Sequence, residues 1–74
     1  RPLVQLAAGE SSHIRKVAEE KELLDYLQSL GIEIDGAVTV ASIGPYEGPL
    51  MLDLDGRQVQ VSHKAACQIY VDER

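Results

Sequence analysis

Few side chains in this sequence have the chemistry to hold a metal or attack a substrate. They are His13 and His63, the acidic run Glu19, Glu20 and Glu22, and the thiol of Cys67. Carboxylates suit hard divalent cations, and imidazole is the commonest metal ligand. Glu19, Glu22, His13 and His63 are the candidate ligands for a divalent metal. The acids also fit a plainer role, because negative charge is favoured in the first turn of a helix. The two histidines stand far apart in sequence, and nothing in their spacing makes them converge. One imidazole lent to a site completed by another domain or subunit is the simpler arrangement.

Cys67 precedes Ile69 by two and Val71 by four, which places it on the inward face of a final strand. There it would act as a small buried hydrophobe. A nucleophilic thiol needs a nearby base and a lowered pKa, and no motif supplies them. Ser11, Ser12, Asp25 and the histidines form no triad pattern. There is no nucleophile elbow and no phosphate-cradling Gly loop. The expectation is a protein that is not an enzyme and has no catalytic residue.

Composition narrows the classes further. Seventy-four residues make one domain, and a chain this short buries only roughly 60% of the surface its unfolded form exposes. Seven Lys and Arg face twelve Asp and Glu, for a net charge of −5. No basic stripe is present to neutralise a phosphate backbone, so direct nucleic-acid binding by this chain is not expected. No apolar run approaches the ~20 residues of a spanning helix, and no secretory leader is visible. One cysteine cannot form an internal disulfide. A cytoplasmic setting fits these features. The start at Arg1 instead of Met is expected of a piece of a larger protein or of a processed chain.

The elements that must position these groups read as follows. Leu3, Val4 and Leu6 are a short apolar start, and Ala7–Glu10 a turn. Ser12–Ala18 suits a short strand with an irregularity. Glu19–Gly31 carries Leu23, Leu24, Leu27 and Leu30 on one stripe, with acids at its start and Gly31 at its stop. That pattern predicts a helix over about 20–30. Val38 and Val40 share a face of the next strand, and Pro45–Gly48 is a turn. "GPLMLDLDGRQVQVS" is a hairpin about Asp55-Gly56, a pair suited to a two-residue primed turn. That turn pairs Leu54 with Arg57, Leu52 with Val59 and Leu50 with Val61, and sets every apolar pair on one face. A single helical turn near 63–66 precedes a last strand with Ile69 and Val71 inward. About five short strands with one short helix predict a mainly β fold, a small, strongly bent antiparallel barrel.

Three stretches then carry a resemblance. "GESSHIRKV" resembles the opening of FeoA-type domains. "LLDYLQSLGIEIDGAVTV" is similar to their Leu-rich helix, Leu-Gly stop and Val-rich strand. "PYEGPLMLDLDGRQVQVSHKAACQIYVDE" resembles the C-terminal domain of metal-dependent repressors of the diphtheria toxin repressor and manganese transport regulator family. The resemblance implies an SH3-like barrel over 1–74, the C-terminal module of a larger protein. It implies a regulatory role, docking on the metal-sensing and dimerisation domains of an iron- or manganese-dependent transcriptional repressor. It also implies a ligand lent to an ancillary metal site, for which Glu19-x-x-Glu22 is the nearest match. The other branch of the resemblance is the free-standing FeoA protein, a cytosolic partner of the ferrous iron transporter FeoB. Tyr46, at a turn tip, is a candidate contact for a partner, or a cap on the barrel end. Arg57, with Lys64 and Arg15, could pair with acidic groups on a partner domain. A peptide-binding SH3-like role is disfavoured, because Pro-rich ligands need aromatic-lined grooves and this chain has three Tyr and no Trp or Phe.

Overall fold

The computed structural model describes residues 1–72. The fold is mainly β, as the sequence predicts. A 3-10 turn at Leu3–Gln5 leads into strand β1 (Ser11–Val17), helix α1 (Lys21–Ser29), strands β2 (Ala37–Ile43), β3 (Leu50–Leu54) and β4 (Arg57–Val61), the single-turn helix α2 (His63–Ala66) and strand β5 (Ile69–Val71). The strands form one antiparallel sheet in the order β4-β3-β2-β1-β5.

Strand β1 is the hinge of this sheet. Its first half pairs with β2, Ser12 opposite Val38, and its second half pairs with β5, Val17 opposite Ile69. A register shift between Ile14 and Lys16 falls at the start of the half paired with β5. Such an irregularity bends a strand and raises its twist, which lets one strand serve two parts of a folded sheet. β2 carries a second shift, between Val40 and Ser42. No ladder joins the edge strands β4 and β5, and α2 spans the gap between them in sequence.

The hairpin has the register its turn and pattern require: Leu50 opposite Val61, Leu52 opposite Val59 and Leu54 opposite Arg57. Asp55 and Gly56 both have positive φ, 59° and 90°, the requirement of a primed turn. Asp53 accepts a hydrogen bond from the Gly56 backbone N–H at 2.8 Å and closes it.

The core is aliphatic. Leu3, Leu6, Ile14, Val38, Val40, Leu50, Leu52, Val61 and Ile69 are fully buried. Each such side chain stabilises the fold by about 1.5–3 kcal/mol relative to exposure. Two of them, Leu3 and Leu6, come from the apolar start. That segment is a 3-10 turn whose next-door residues Arg1 and Pro2 run beside β5. The Arg1 amino group donates to the Val71 carbonyl and the Val71 N–H donates to the Arg1 carbonyl, at 3.0 and 2.8 Å. This covers an edge that would otherwise be open to another chain.

Helix α1 is shorter than the Leu stripe suggests. Leu23 and Leu27 are buried, but Leu24 lies outward and Leu30 is half-buried beyond the last turn. Gly31 follows at φ 81°, the left-handed stop that favours glycine. Strand β2 starts at Ala37, after Asp35 and Gly36 turn the chain, with Asp35 at φ 68°. Ile34 therefore points outward while Ile32 stays buried.

Candidate functional site

The acidic run sits at the start of α1. Glu20 occupies the N-cap position without a side-chain cap bond, Glu22 lies in the first turn, and Glu19 precedes the helix. All three are exposed. Glu20 and Glu22 border a shallow groove whose other wall holds Lys64, Ala65 and Gln68. The arrangement is that of a dipole-matched helix start facing a lysine.

His13 is exposed on β1, between the buried Ser12 and Ile14, as alternation requires. His63 opens α2 and is half-buried. Among the described residues, no three of His, Cys, Asp and Glu are grouped so as to hold a metal ion. These donors thus do not fit a resident Fe2+ or Mn2+ by themselves.

The two interface candidates differ in kind. Tyr46 is fully exposed at the tip of the β2–β3 connection, and both it and Glu47 hold left-handed φ values, 55° and 57°. A bulky residue in that region is an outlier that the surrounding turn must hold in place. Ile43, at the end of β2, is also largely exposed. Arg57 instead lies over the end of α1. A Cβ on Gly31 would come within 1.9 Å of its Nη2, so the guanidinium occupies the space that glycine leaves. The positive group at a helix C-terminus also complements the dipole.

Two charged arrangements escaped the sequence reading. Arg15 bridges Asp72, through Nε at 2.5 Å, and Asp35, through Nη1 at 2.7 Å. The Asp72 carboxylate first, then Asp35, raises the Arg15 pKa above its ordinary value. Glu10 accepts from the Ala7 backbone N–H at 2.9 Å and from Arg1. Those two bonds, Ala7 first, hold its carboxyl below the usual range. Both arrangements tie segments distant in sequence, which no local pattern announces.

Cys67 is the plainest correction. It is not on the inward face of β5. It is the C-cap of α2, half-buried, with its Sγ 3.7 Å from His63 Nδ1. The usable signal in the sequence is the spacing His-x-x-x-Cys in "HKAAC", which a helical turn places side by side.

Relatives of known structure share this fold. A manganese-dependent transcriptional repressor in complex with manganese superposes at TM-score 0.91 and 24% identity, over 97% of this chain and 35% of the repressor chain. An iron uptake regulatory protein (FeoA) superposes at 0.87 and 18% identity, over 96% of this chain and 93% of the other. A FeoA-like protein from Clostridium acetobutylicum gives 0.85 and 17%, over 96% and 83%. The chain spans about two-fifths or less of the length of the repressors it matches. None of the curated proteins matches it. The family model described as the FeoA domain covers residues 1–73, nearly the whole sequence and every element of the sheet. The chain therefore belongs to the FeoA domain family.

Proposed function

We propose that residues 1–74 are a non-catalytic regulatory module, the C-terminal domain of an iron- or manganese-dependent transcriptional repressor. The module works by docking on the metal-sensing and dimerisation core of its own parent chain. The observation that carries this reading is the likeness over 97% of this chain to about a third of a manganese-dependent repressor. The surface is consistent with it. Chemistry is sparse, while Tyr46 and Ile43 present an apolar tip held by strained turn residues. Aromatic side chains are enriched at interfaces. Glu19, Glu22, His13 or His63 would supply at most one ligand to an ancillary site completed by the core. Docking and metal binding at the core would then be coupled, each strengthening the other.

The test removes residues 1–74 from the parent and measures metal-dependent operator binding, beside the full-length Tyr46→Ala variant. Weakened metal response in both is expected. Unchanged metal and operator affinity in the deletion would overturn the reading.

A second reading has its own support. The FeoA protein of known structure is covered to 93% by this chain, so a unit of this size also stands free. On that reading the partner is the cytosolic part of the FeoB transporter. Binding of the isolated domain to that part of the transporter, in a cytoplasmic setting and without any operator-binding parent, would decide for it.

A further inference from the structure

The two edges of the sheet end differently. β5 is covered by Arg1, which exchanges two backbone bonds with Val71. β4 has no such backbone partner on its outer side among the described residues. The alternation of an antiparallel ladder shows what this leaves open. A two-residue turn makes its flanking pair a hydrogen-bonded one, here Leu54 and Arg57, so Val59 and Val61 also spend their backbone groups on β3. The N–H and C=O groups of Gln58 and Gln60 point the other way. Neither residue makes a backbone bond to any other element among the described residues, and both are exposed.

Edge strands are usually blunted by Pro, Lys or a bulge. β4 has none of these. Its register against β3 is unbroken, and the guanidinium of its one charged residue, Arg57, is turned over Gly31 at the end of α1. It carries no acidic residue, in a chain of net charge −5. The open window runs from the Asp55-Gly56 turn to Ser62, whose N–H already donates to the Tyr26 hydroxyl at 3.4 Å. Its centre is Gln-Val-Gln, which reads the same in both directions.

That symmetry singles out one pairing. Three two-fold axes would set outward groups opposite outward groups. An axis at Gln58 sets Gln60 against Gly56 of a second copy, and that N–H is held by Asp53. An axis at Gln60 sets Gln58 against Ser62, and that N–H is held by Tyr26. An axis at Val59 sets Gln58 against Gln60 on both sides of the centre and satisfies every open group of the two residues. The half-buried Val59 then meets its own counterpart in the closer, non-bonded kind of pair.

We propose that β4 is a self-association edge, on which two copies of this chain pair antiparallel about a two-fold axis at Val59. The occupant is a second copy because the strand is complementary to itself, which a foreign strand would not require. A five-residue strand buries little surface, so the dimer is weak and depends on concentration. The pairing rests on the ladder of β4 and not on the docking reading, so either can fail while the other stands.

The test follows sedimentation of the 74-residue chain from about 0.01 to 1 mM, the range of weak association, beside amide NMR shifts. Sedimentation that rises towards the dimer is expected, with shifts centred on Gln58 and Gln60. Gln60→Pro removes an outward N–H and no bond to β3, and should abolish association. Gln58→Lys with Gln60→Lys sets like charges opposite each other in both pairs. It should weaken association about tenfold, although it reduces the net negative charge. Gln58→Lys with Gln60→Glu sets opposite charges there and should leave association at least as tight as in the wild type. NMR spectra at low concentration check that each variant folds, and the charge variants decide if Gln60→Pro does not. A monomer at every concentration, tighter association of the double-lysine variant, or shifts confined to β5 or the Tyr46 tip would each overturn the proposal.

Discussion

The two helices carry similar residues and arrange them differently. α1 has three carboxylates at its start, all exposed, and among the described residues they belong to no group of three metal-ligating side chains. α2 has four residues, and its one turn sets a sulfur and a nitrogen 3.7 Å apart. The contrast lies in anchoring. The acids of α1 stand on its outer side while Leu23 and Leu27 hold the inner one. α2 is held by a cap at its start and two buried alanines, so its polar side chains share one fixed turn.

The strongest way to break this contrast is to unseat α1. Leu27 is 3% exposed, and Leu27→Ala should cost about 2–5 kcal/mol in denaturant unfolding. The Ser62 N–H donates to the Tyr26 hydroxyl at 3.4 Å, so α2 should loosen with α1, read from the NMR shifts of Ala65 and Ala66. Unchanged shifts at both alanines would mean that α2 is anchored separately.

Gly31→Ala tests the other end of α1. Both the left-handed φ and the Arg57 guanidinium oppose a side chain at that position. The expected cost is about 1 kcal/mol or more, read from thermal unfolding. Adding Arg57→Ala should recover the part due to crowding and leave the part due to backbone strain. Full recovery would show that strain contributes nothing.

Ser62→Ala sharpens the comparison. Losing the cap should cost about 1 kcal/mol in denaturant unfolding, because the turn frays. Glu19→Gln and Glu22→Gln should each change stability by no more than about 0.5 kcal/mol. A larger loss would show that the start of α1 depends on these acids.

The smallest effect concerns pH. The folded state holds Glu10 below its ordinary pKa, chiefly through the Ala7 N–H and then Arg1. Its contribution is therefore complete above the unfolded carboxyl pKa and disappears as pH falls through the lowered folded value. The stability difference between the wild type and Glu10→Gln should shrink on acidification across that window. A difference that grows towards acid would reverse the assignment.

Much of the fold was legible because it is local. Asp55-Gly56 and the alternation about it specify one register, and the observed pairing follows it residue by residue. The buried face of α1 was readable at Leu23 and Leu27 and failed at Leu24, where only packing against the sheet decides which edge of a Leu stripe is covered. The candidate site was less legible. His63 was recognisable as a donor, but Cys67 was assigned to a strand, since alternation with Ile69 and Val71 is indistinguishable from a helix end over so few residues.

By itself the sequence determined the strands, the hairpin register, the helix start and stop, and the poverty of reactive groups, because turn chemistry and side-chain periodicity act over a few neighbouring residues. Tertiary structure alone decided that Leu3 and Leu6 fill the core, that Arg1 closes against Val71, that Arg15 joins Asp35 to Asp72, and which way α2 presents its thiol. Those outcomes depend on segments brought together by chain closure, whose energy no short window of sequence contains.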